Sequence, residues 1–178
     1  MGQTDTTAVA DALALIREIP DFPEPGVLFR DLGPVFADPG AFRAMVDGLA
    51  ATLDPATDVL VAVEARGFLL GAALGYAAGM GVVPVRKPGK TPLVAERVEY
   101  QLEYGTATLE LPGGLLRAGQ RVAVIDDVLA TGGTVAATGR LVESAGATVT
   151  GVSVVVELAA LGGRALLPEY QVSALLTV

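Results

Sequence analysis

Four short β-branched runs, at 58–63, 82–85, 121–125 and 148–156, alternate with helical patterns, and this alternation constrains the fold more than any other feature of the chain. Each run is almost continuously apolar, as strands buried on both faces of a parallel sheet are. Helical patterns over 7–18, 41–53, 68–78 and 134–144, the last ended by Gly146, supply the crossovers. The expected class is therefore α/β, with a central, mostly parallel, twisted sheet flanked by helices. Two segments break the rhythm. Residues 21–39 hold Pro23, Pro25, Gly26, Gly33, Pro34 and Pro39, too irregular for an element and too apolar for a solvated linker. Residues 87–111 run from a Pro/Gly start through a charged middle to an alternating end at 106–111, which predicts a loop leaving the sheet and re-entering it as a hairpin. No repeat or linker divides the 178 residues, so one domain over 1–178 is expected.

Residues 67–85 carry no charge and are long enough to cross a membrane, with Gly71, Gly75 and Gly79 at a four-residue spacing. Gly79-Met80-Gly81 nevertheless reads as a helix end and Val82–Val85 as a short strand. The stretch splits into a helix packed closely on a sheet and the strand after it. Met1-Gly2 with Thr6 matches a loose myristoylation pattern, but no second anchor follows. Without a signal-peptide pattern or cysteine, a cytoplasmic location and no membrane partner are expected.

What the chain lacks restricts its chemistry. It contains no cysteine and no histidine, which removes thiolate zinc sites, disulfides, a Ser-His-Asp triad and every imidazole acid or base. Catalysis must use carboxylates, Lys, Arg, Tyr and backbone dipoles. The net charge of −8 argues against a nucleic-acid partner. Yet both lysines, Lys87 and Lys90, fall with Arg86 in one five-residue stretch directly after a strand, which is an address for an anion unless it is only a solvated basic turn. Gly89-Lys90-Thr91 imitates the tail of a nucleotide P-loop, but Pro84 stands where its first glycine is needed.

The run 122–134, Val-Ala-Val-Ile-Asp-Asp-Val-Leu-Ala-Thr-Gly-Gly-Thr, carries the most specific chemistry. A buried strand delivers Asp126 and Asp127 at its carboxyl end, and Ala130, Thr131, Gly132, Gly133 and Thr134 then open a helix. Free N–H groups and two hydroxyls make that turn an anion cradle, and the glycines let phosphate oxygens approach the backbone. The carboxylates suit the vicinal hydroxyls of a sugar, or a magnesium held through water. Anion and diol together fit a ribose 5-phosphate. Arg66 also follows a buried strand, where ligands of open α/β sheets bind; a simple ion pair with Glu64 is the alternative.

The run 122–134 resembles the 5-phosphoribosyl-1-pyrophosphate (PRPP) signature of the type I phosphoribosyltransferases. Phe22–Asp31, Glu64–Phe68, Arg86–Lys90 and Leu102–Gly105 occur in the order and approximate spacing of the adenine-using branch of that family, so the resemblance covers nearly the whole chain. It implies the type I phosphoribosyltransferase fold, with a small N-terminal hood over about 1–36 and a flexible catalytic loop over about 88–104. It implies transfer of the phosphoribosyl group of PRPP to adenine N9, giving AMP and pyrophosphate in purine salvage, with Mg²⁺ held mainly by PRPP and through water by Asp126 and Asp127. Ala65, Arg66, Lys87 and Lys90 would then meet the pyrophosphate; Ala65 stands where a serine is common. Val27, Leu28 and Arg30 would read adenine, largely through backbone groups, and Glu103 would act as acid/base near purine N7. A homodimer is implied as well. The competing readings are a phosphoribosyltransferase for another base, xanthine, guanine, hypoxanthine or a pyrimidine; a PRPP-sensing module without turnover; and a generic dinucleotide-binding domain, for which no Gly-x-Gly-x-x-Gly follows an early strand.

Overall fold

The computed structural model describes residues 6–101 and 106–178. In chain order the elements are α1 (Thr6–Leu13), β1 (Arg17–Pro20), β2 (Leu28–Asp31), α2 (Gly33–Ala37), α3 (Pro39–Thr52), β3 (Val59–Val63), α4 (Arg66–Ala78) and β4 (Gly81–Val85). There follow β5 (Val94–Gln101), β6 (Thr106–Pro112), β7 (Arg121–Leu129), α5 (Gly133–Ser144), β8 (Thr148–Glu157), two 3-10 turns (Ala159–Leu161 and Gly163–Leu166) and β9 (Val172–Thr177).

The four apolar runs form strands β3, β4, β7 and β8, joined by β9 in a five-stranded sheet of order β4-β3-β7-β8-β9, with every neighbouring pair parallel. Alternation within the runs sorts side chains between two buried layers. Leu60, Ala123 and Ile125 face Leu70 and Leu74 of α4 and Met45 and Leu49 of α3. Val59, Val61 and Val122 face Leu141 of α5 and Leu109 and Leu111 of β6. The expected doubly covered parallel sheet is therefore present.

Helix α4 and strand β4 occupy the uncharged 67–85 stretch, and among the described residues no helix is long and apolar enough to cross a membrane. The glycine spacing serves close packing instead. A Cβ on Gly71 would lie 2.6 Å from the Ala62 Cβ, and one on Gly75 would lie 2.5 Å from a Val82 methyl. Gly79 ends the helix in the left-handed conformation at φ 68°. Gly71→Ala should cost about 1–3 kcal/mol of unfolding free energy, because an added methyl overpacks the Ala62 Cβ, which is fixed to its strand and cannot rotate away. Urea denaturation reads this directly, and an unchanged midpoint would refute the contact's importance.

Three expectations need correction. The first helix stops at Leu13 rather than near 18, because Arg17–Pro20 pairs antiparallel with Leu28–Asp31 and Pro20 has no helical N–H to give. The 21–39 segment is not elementless: it holds β2 and the short α2, whose first turn accepts Pro34. The hairpin β5–β6 does not re-enter the central sheet. It forms its own two-stranded sheet, attached at the isolated Arg86–Glu110 bridge and packed on α5.

Candidate active site

The chain runs outward from β3 to β4 and later places β7 on the other side of β3, so crossovers diverge between β3 and β7. A crevice at the carboxyl ends of the strands is expected at such a point. A cavity of about 430 Å³ opens there, lined by Glu64, Ala65, Arg66, Lys87, Asp126, Asp127, Ala130 and Thr134, with Tyr100 and Leu109 of the hairpin on its far side. Seven of the residues singled out in the sequence thus share one cavity.

Strand β7 continues through both carboxylates to Leu129, so Asp126 and Asp127 sit within the carboxyl-terminal part of the strand, and both line the cavity. Each is 7% exposed. The Asp127 N–H donates to Asp126 Oδ1 at 2.9 Å, and the Arg66 guanidinium lies 2.7 Å from Asp127 Oδ2. That second contact is close enough for an ion pair but not aligned for a hydrogen bond, which leaves Asp127 Oδ2 a buried acceptor with spare capacity. Burial, and then the Asp127 charge, push the Asp126 carboxyl well above the usual carboxylate range.

The cradle follows at once. Gly132 caps α5 at φ 85°, a left-handed conformation that places the free N–H groups of Gly133 and Thr134 at the helix entrance. No side chain caps that entrance, so its positive dipole end is left for a ligand. The Thr134 hydroxyl donates to the Tyr100 hydroxyl at 3.2 Å, which ties the cradle to the hairpin.

Helix α4 presents a second uncapped N-terminus, with Arg66 as its first residue and Ala65 before it. The alternative pairing of Arg66 with Glu64 is not made. Glu64 accepts from Lys90 Nζ at 2.6 Å and from the Lys87 backbone N–H at 2.8 Å, and these bonds hold its carboxyl below the usual range against the effect of burial. Arg86 braces the same turn by donating to the Lys90 carbonyl at 2.9 Å. Lys87 and Lys90 thus form part of a turn anchored at the cavity rim rather than a free surface loop. The sequence offers Glu64 only as a partner for Arg66; that it anchors the basic turn is new, and its position at the carboxyl end of a five-residue apolar strand was the available signal.

The N-terminal segment contributes less directly. Val27 and Leu28 are 42% and 43% exposed, and the Arg30 side chain is ion-paired with Glu18 of β1. None of the three lines the cavity. Phe29 makes the connection: the Arg66 guanidinium carbon lies 5.2 Å from its ring centre, and Phe22 packs edge-on against it at 5.1 Å. Glu103 lies outside the described residues.

Comparison with known proteins agrees with this geometry. Residues 38–173 match the family model described as the phosphoribosyl transferase domain. A protein named adenine phosphoribosyltransferase from Saccharopolyspora erythraea is 61% identical over 166 residues, 93% of this chain and 90% of its own length. The crystal structure of the adenine phosphoribosyltransferase from Thermoanaerobacter pseudethanolicus superposes with a TM-score of 0.93 at 46% identity, covering 96% of this chain and 99% of that one. The enzyme of that name from Saccharomyces cerevisiae, solved with adenine and an imino-altritol bisphosphate, superposes with a TM-score of 0.88 at 35% identity over 96% of this chain and 99% of its own. With the sheet, the uncapped cradle and the paired carboxylates in these positions, the chain belongs to the adenine phosphoribosyltransferase family of type I phosphoribosyltransferases.

Proposed function

We infer that the cavity between β3 and β7 transfers the 5-phosphoribosyl group of PRPP to N9 of adenine, forming AMP and pyrophosphate in purine salvage. The observation that carries this reading is the meeting, in one cavity, of an uncapped helix N-terminus, two adjacent buried carboxylates and the cationic groups of Arg66 and Lys87, with Lys90 anchored at its rim. Ala130, Thr131, Gly132, Gly133 and Thr134 hold the 5-phosphate through backbone N–H groups and hydroxyls. Asp126 and Asp127 accept from the ribose diol, for which Asp127 Oδ2 has a free lone pair. Ala65, Arg66, Lys87 and Lys90 face the pyrophosphate. Arg66 then exchanges Asp127 for an anion of higher charge, and the Glu64–Lys90 bond keeps the basic turn at the rim until the ligand arrives.

As the C1–oxygen bond to pyrophosphate breaks, negative charge grows on the leaving group beside these cations, while the C1–N9 bond forms to adenine. Val27, Leu28 and Arg30 meet adenine largely through backbone groups, with Phe29 between the hood and Arg66. Glu103, carried between β5 and β6, handles the purine proton near N7. Residues 1–178 act as one domain, hooded by about 1–36 and covered by the loop at about 88–104.

Among the described residues no three acidic side chains cluster as a metal cage. The spare acceptor of the Asp126–Asp127 pair fits contact, directly or through water, with a Mg²⁺ whose ligands come mainly from PRPP and water. Bound there, the ion would neutralise pyrophosphate charge. A cytoplasmic homodimer completes the proposal; Leu69 and Tyr76, two helical turns apart on α4 and 54% and 93% exposed, support a surface for a second copy.

The decisive experiment follows pyrophosphate release from PRPP and Mg²⁺ with adenine, hypoxanthine, guanine, xanthine or uracil. Turnover confined to adenine is expected; turnover with another base instead would replace the assignment, and binding of PRPP without turnover would indicate a sensor. Glu103→Gln should lower kcat by about tenfold to a hundredfold with KM for PRPP unchanged, as loss of proton transfer alone requires. An unaltered kcat would remove Glu103 from the chemistry.

A further inference from the structure

The wall behind the phosphate cradle is built from a distant part of the chain. Gly163 opens the second 3-10 turn and lies directly against the backbone of residues 130–132: a Cβ on it would lie 2.1 Å from the Ala130 carbonyl oxygen and 2.9 Å from the Gly132 nitrogen. The approach is mutual, since a Cβ on Gly132 would lie 2.5 Å from the Gly163 carbonyl oxygen. Gly132 also needs glycine for its φ of 85°, whereas Gly163 is not among the glycines at positive φ. The close approach alone accounts for a glycine at 163.

The turn is pinned on both sides. Arg164 donates to both carboxylate oxygens of Glu157, at 2.9 and 2.5 Å, and to the Val172 carbonyl at 2.7 Å. Glu157 closes β8 opposite Leu129, the residue before Ala130, and Val172 opens β9. The Leu158 N–H donates to the Leu129 carbonyl at 2.9 Å. One bidentate ion pair and two backbone contacts therefore fix Gly163 relative to the strand that feeds the cradle.

A cradle made of N–H groups cannot adjust to its guest by changing a rotamer; its aim is set by the backbone, and the backbone is set by what stands behind it. We propose that Gly163, held by the Arg164–Glu157 pair, is a positioning residue for the sugar 5-phosphate, a backstop that fixes the direction of the N–H groups of 131–134. This rests on the reading of 130–134 as the phosphate cradle. On that reading pyrophosphate meets Ala65, Arg66, Lys87 and Lys90 and adenine meets Val27, Leu28 and Arg30, away from the cradle, so the backstop acts on the phosphorylated sugar.

Steady-state kinetics in both directions on Gly163→Ala, Arg164→Gln and Thr131→Val test it. In Gly163→Ala the KM values for PRPP and AMP should rise at least about tenfold, as a loop displaced by several tenths of an ångström requires. Those for adenine and pyrophosphate should change by less than about twofold. A role in stability alone would lower Tm without separating the two pairs of KM values. If Thr131→Val raises KM for PRPP and a folded Gly163→Ala does not, the backstop is overturned and the cradle stands. If Gly163→Ala, Arg164→Gln and Thr131→Val all leave KM for PRPP and AMP unchanged, neither the aim of the N–H groups nor the hydroxyl matters to the sugar phosphate, and the cradle reading falls with the inference. Should Gly163→Ala fail to fold, Arg164→Gln decides the matter. It should show the same selective rise, partly rescued by Arg164→Lys, and equal changes in all four KM values would overturn the proposal.

Discussion

An Arg66→Ala enzyme should lose about a thousandfold in kcat/KM for PRPP, the scale on which removing a preorganised charge from a developing anion is felt. The expectation follows from where the guanidinium stands. Arg66 is the first residue of α4, so its charge and the free N–H groups of the helix reach the same cavity. Its present partner, Asp127, is 2.7 Å away and half of a carboxylate pair, and its other neighbour is the ring of Phe29. Both contacts hold the fork at the entrance without satisfying it, because the Asp127 contact is not aligned for hydrogen bonding. A departing pyrophosphate offers more charge and better acceptors. The loss should fall mainly on kcat, since the interaction strengthens as the C1–oxygen bond breaks. Arg66→Lys should recover only part of it, because an ammonium keeps the charge but not the bidentate geometry. Tm should fall as well, because the buried Asp127 carboxylate loses its cation, so the kinetics are read below the variant's melting range. A variant that raised KM for adenine alone, with kcat unchanged, would place Arg66 in base recognition instead.

The parts of this arrangement differ in how legible they were before the fold was known, and each difference has a physical cause. Strands β3, β7 and β8 are buried on both faces, which writes nearly unbroken β-branched runs into the sequence. Strand β9 is an edge strand with mostly half-buried residues, so its six residues show neither a continuous run nor clean alternation. Arg17 and Glu18, the first two residues of β1, fall in the helical pattern 7–18; the pairing of β1 with β2, a contact across a Pro/Gly segment, overrides local propensity there. In the site, the run 126–134 was readable because a strand, two carboxylates and a glycine turn are contiguous in sequence. Glu64–Lys90 and Gly132–Gly163 were not, because each joins residues more than 25 positions apart and neither leaves a local pattern. The alternative pairing of Arg66 with Glu64 failed for the same reason: proximity in sequence said nothing about Asp127, which arrives from β7.

Asp126→Asn should separate stability from function in opposite directions. Asp126 is buried, and its carboxyl is pushed well above the usual 3.8 by burial first and by the Asp127 charge second. A carboxyl whose folded-state value is raised binds protons more tightly in the native state than in the unfolded chain. Stability is then greatest at low pH and falls as pH rises above 3.8, until the native carboxyl has itself ionised. Asparagine is nearly isosteric and its carbonyl oxygen can still accept from the Asp127 N–H, so the substitution removes the buried charge and keeps the hydrogen bond. Near pH 4 the variant and the parent should melt together; at pH 8 the variant should melt about 3 °C higher or more, since relief of one buried charge is worth that much in a chain of this size. Catalysis should move the other way. A ribose hydroxyl bonded to a charged carboxylate contributes about 1.5–3 kcal/mol, so kcat/KM for PRPP should fall by about tenfold to a hundredfold. Thermal melts across pH 4–8 beside PRPP kinetics read both halves. A lower Tm at pH 8 would show that the buried charge is fully compensated, and unchanged kinetics would leave the diol to Asp127 alone. The raised carboxyl is thus the cost of keeping two acids side by side at the carboxyl end of a buried strand, where the sugar must be held.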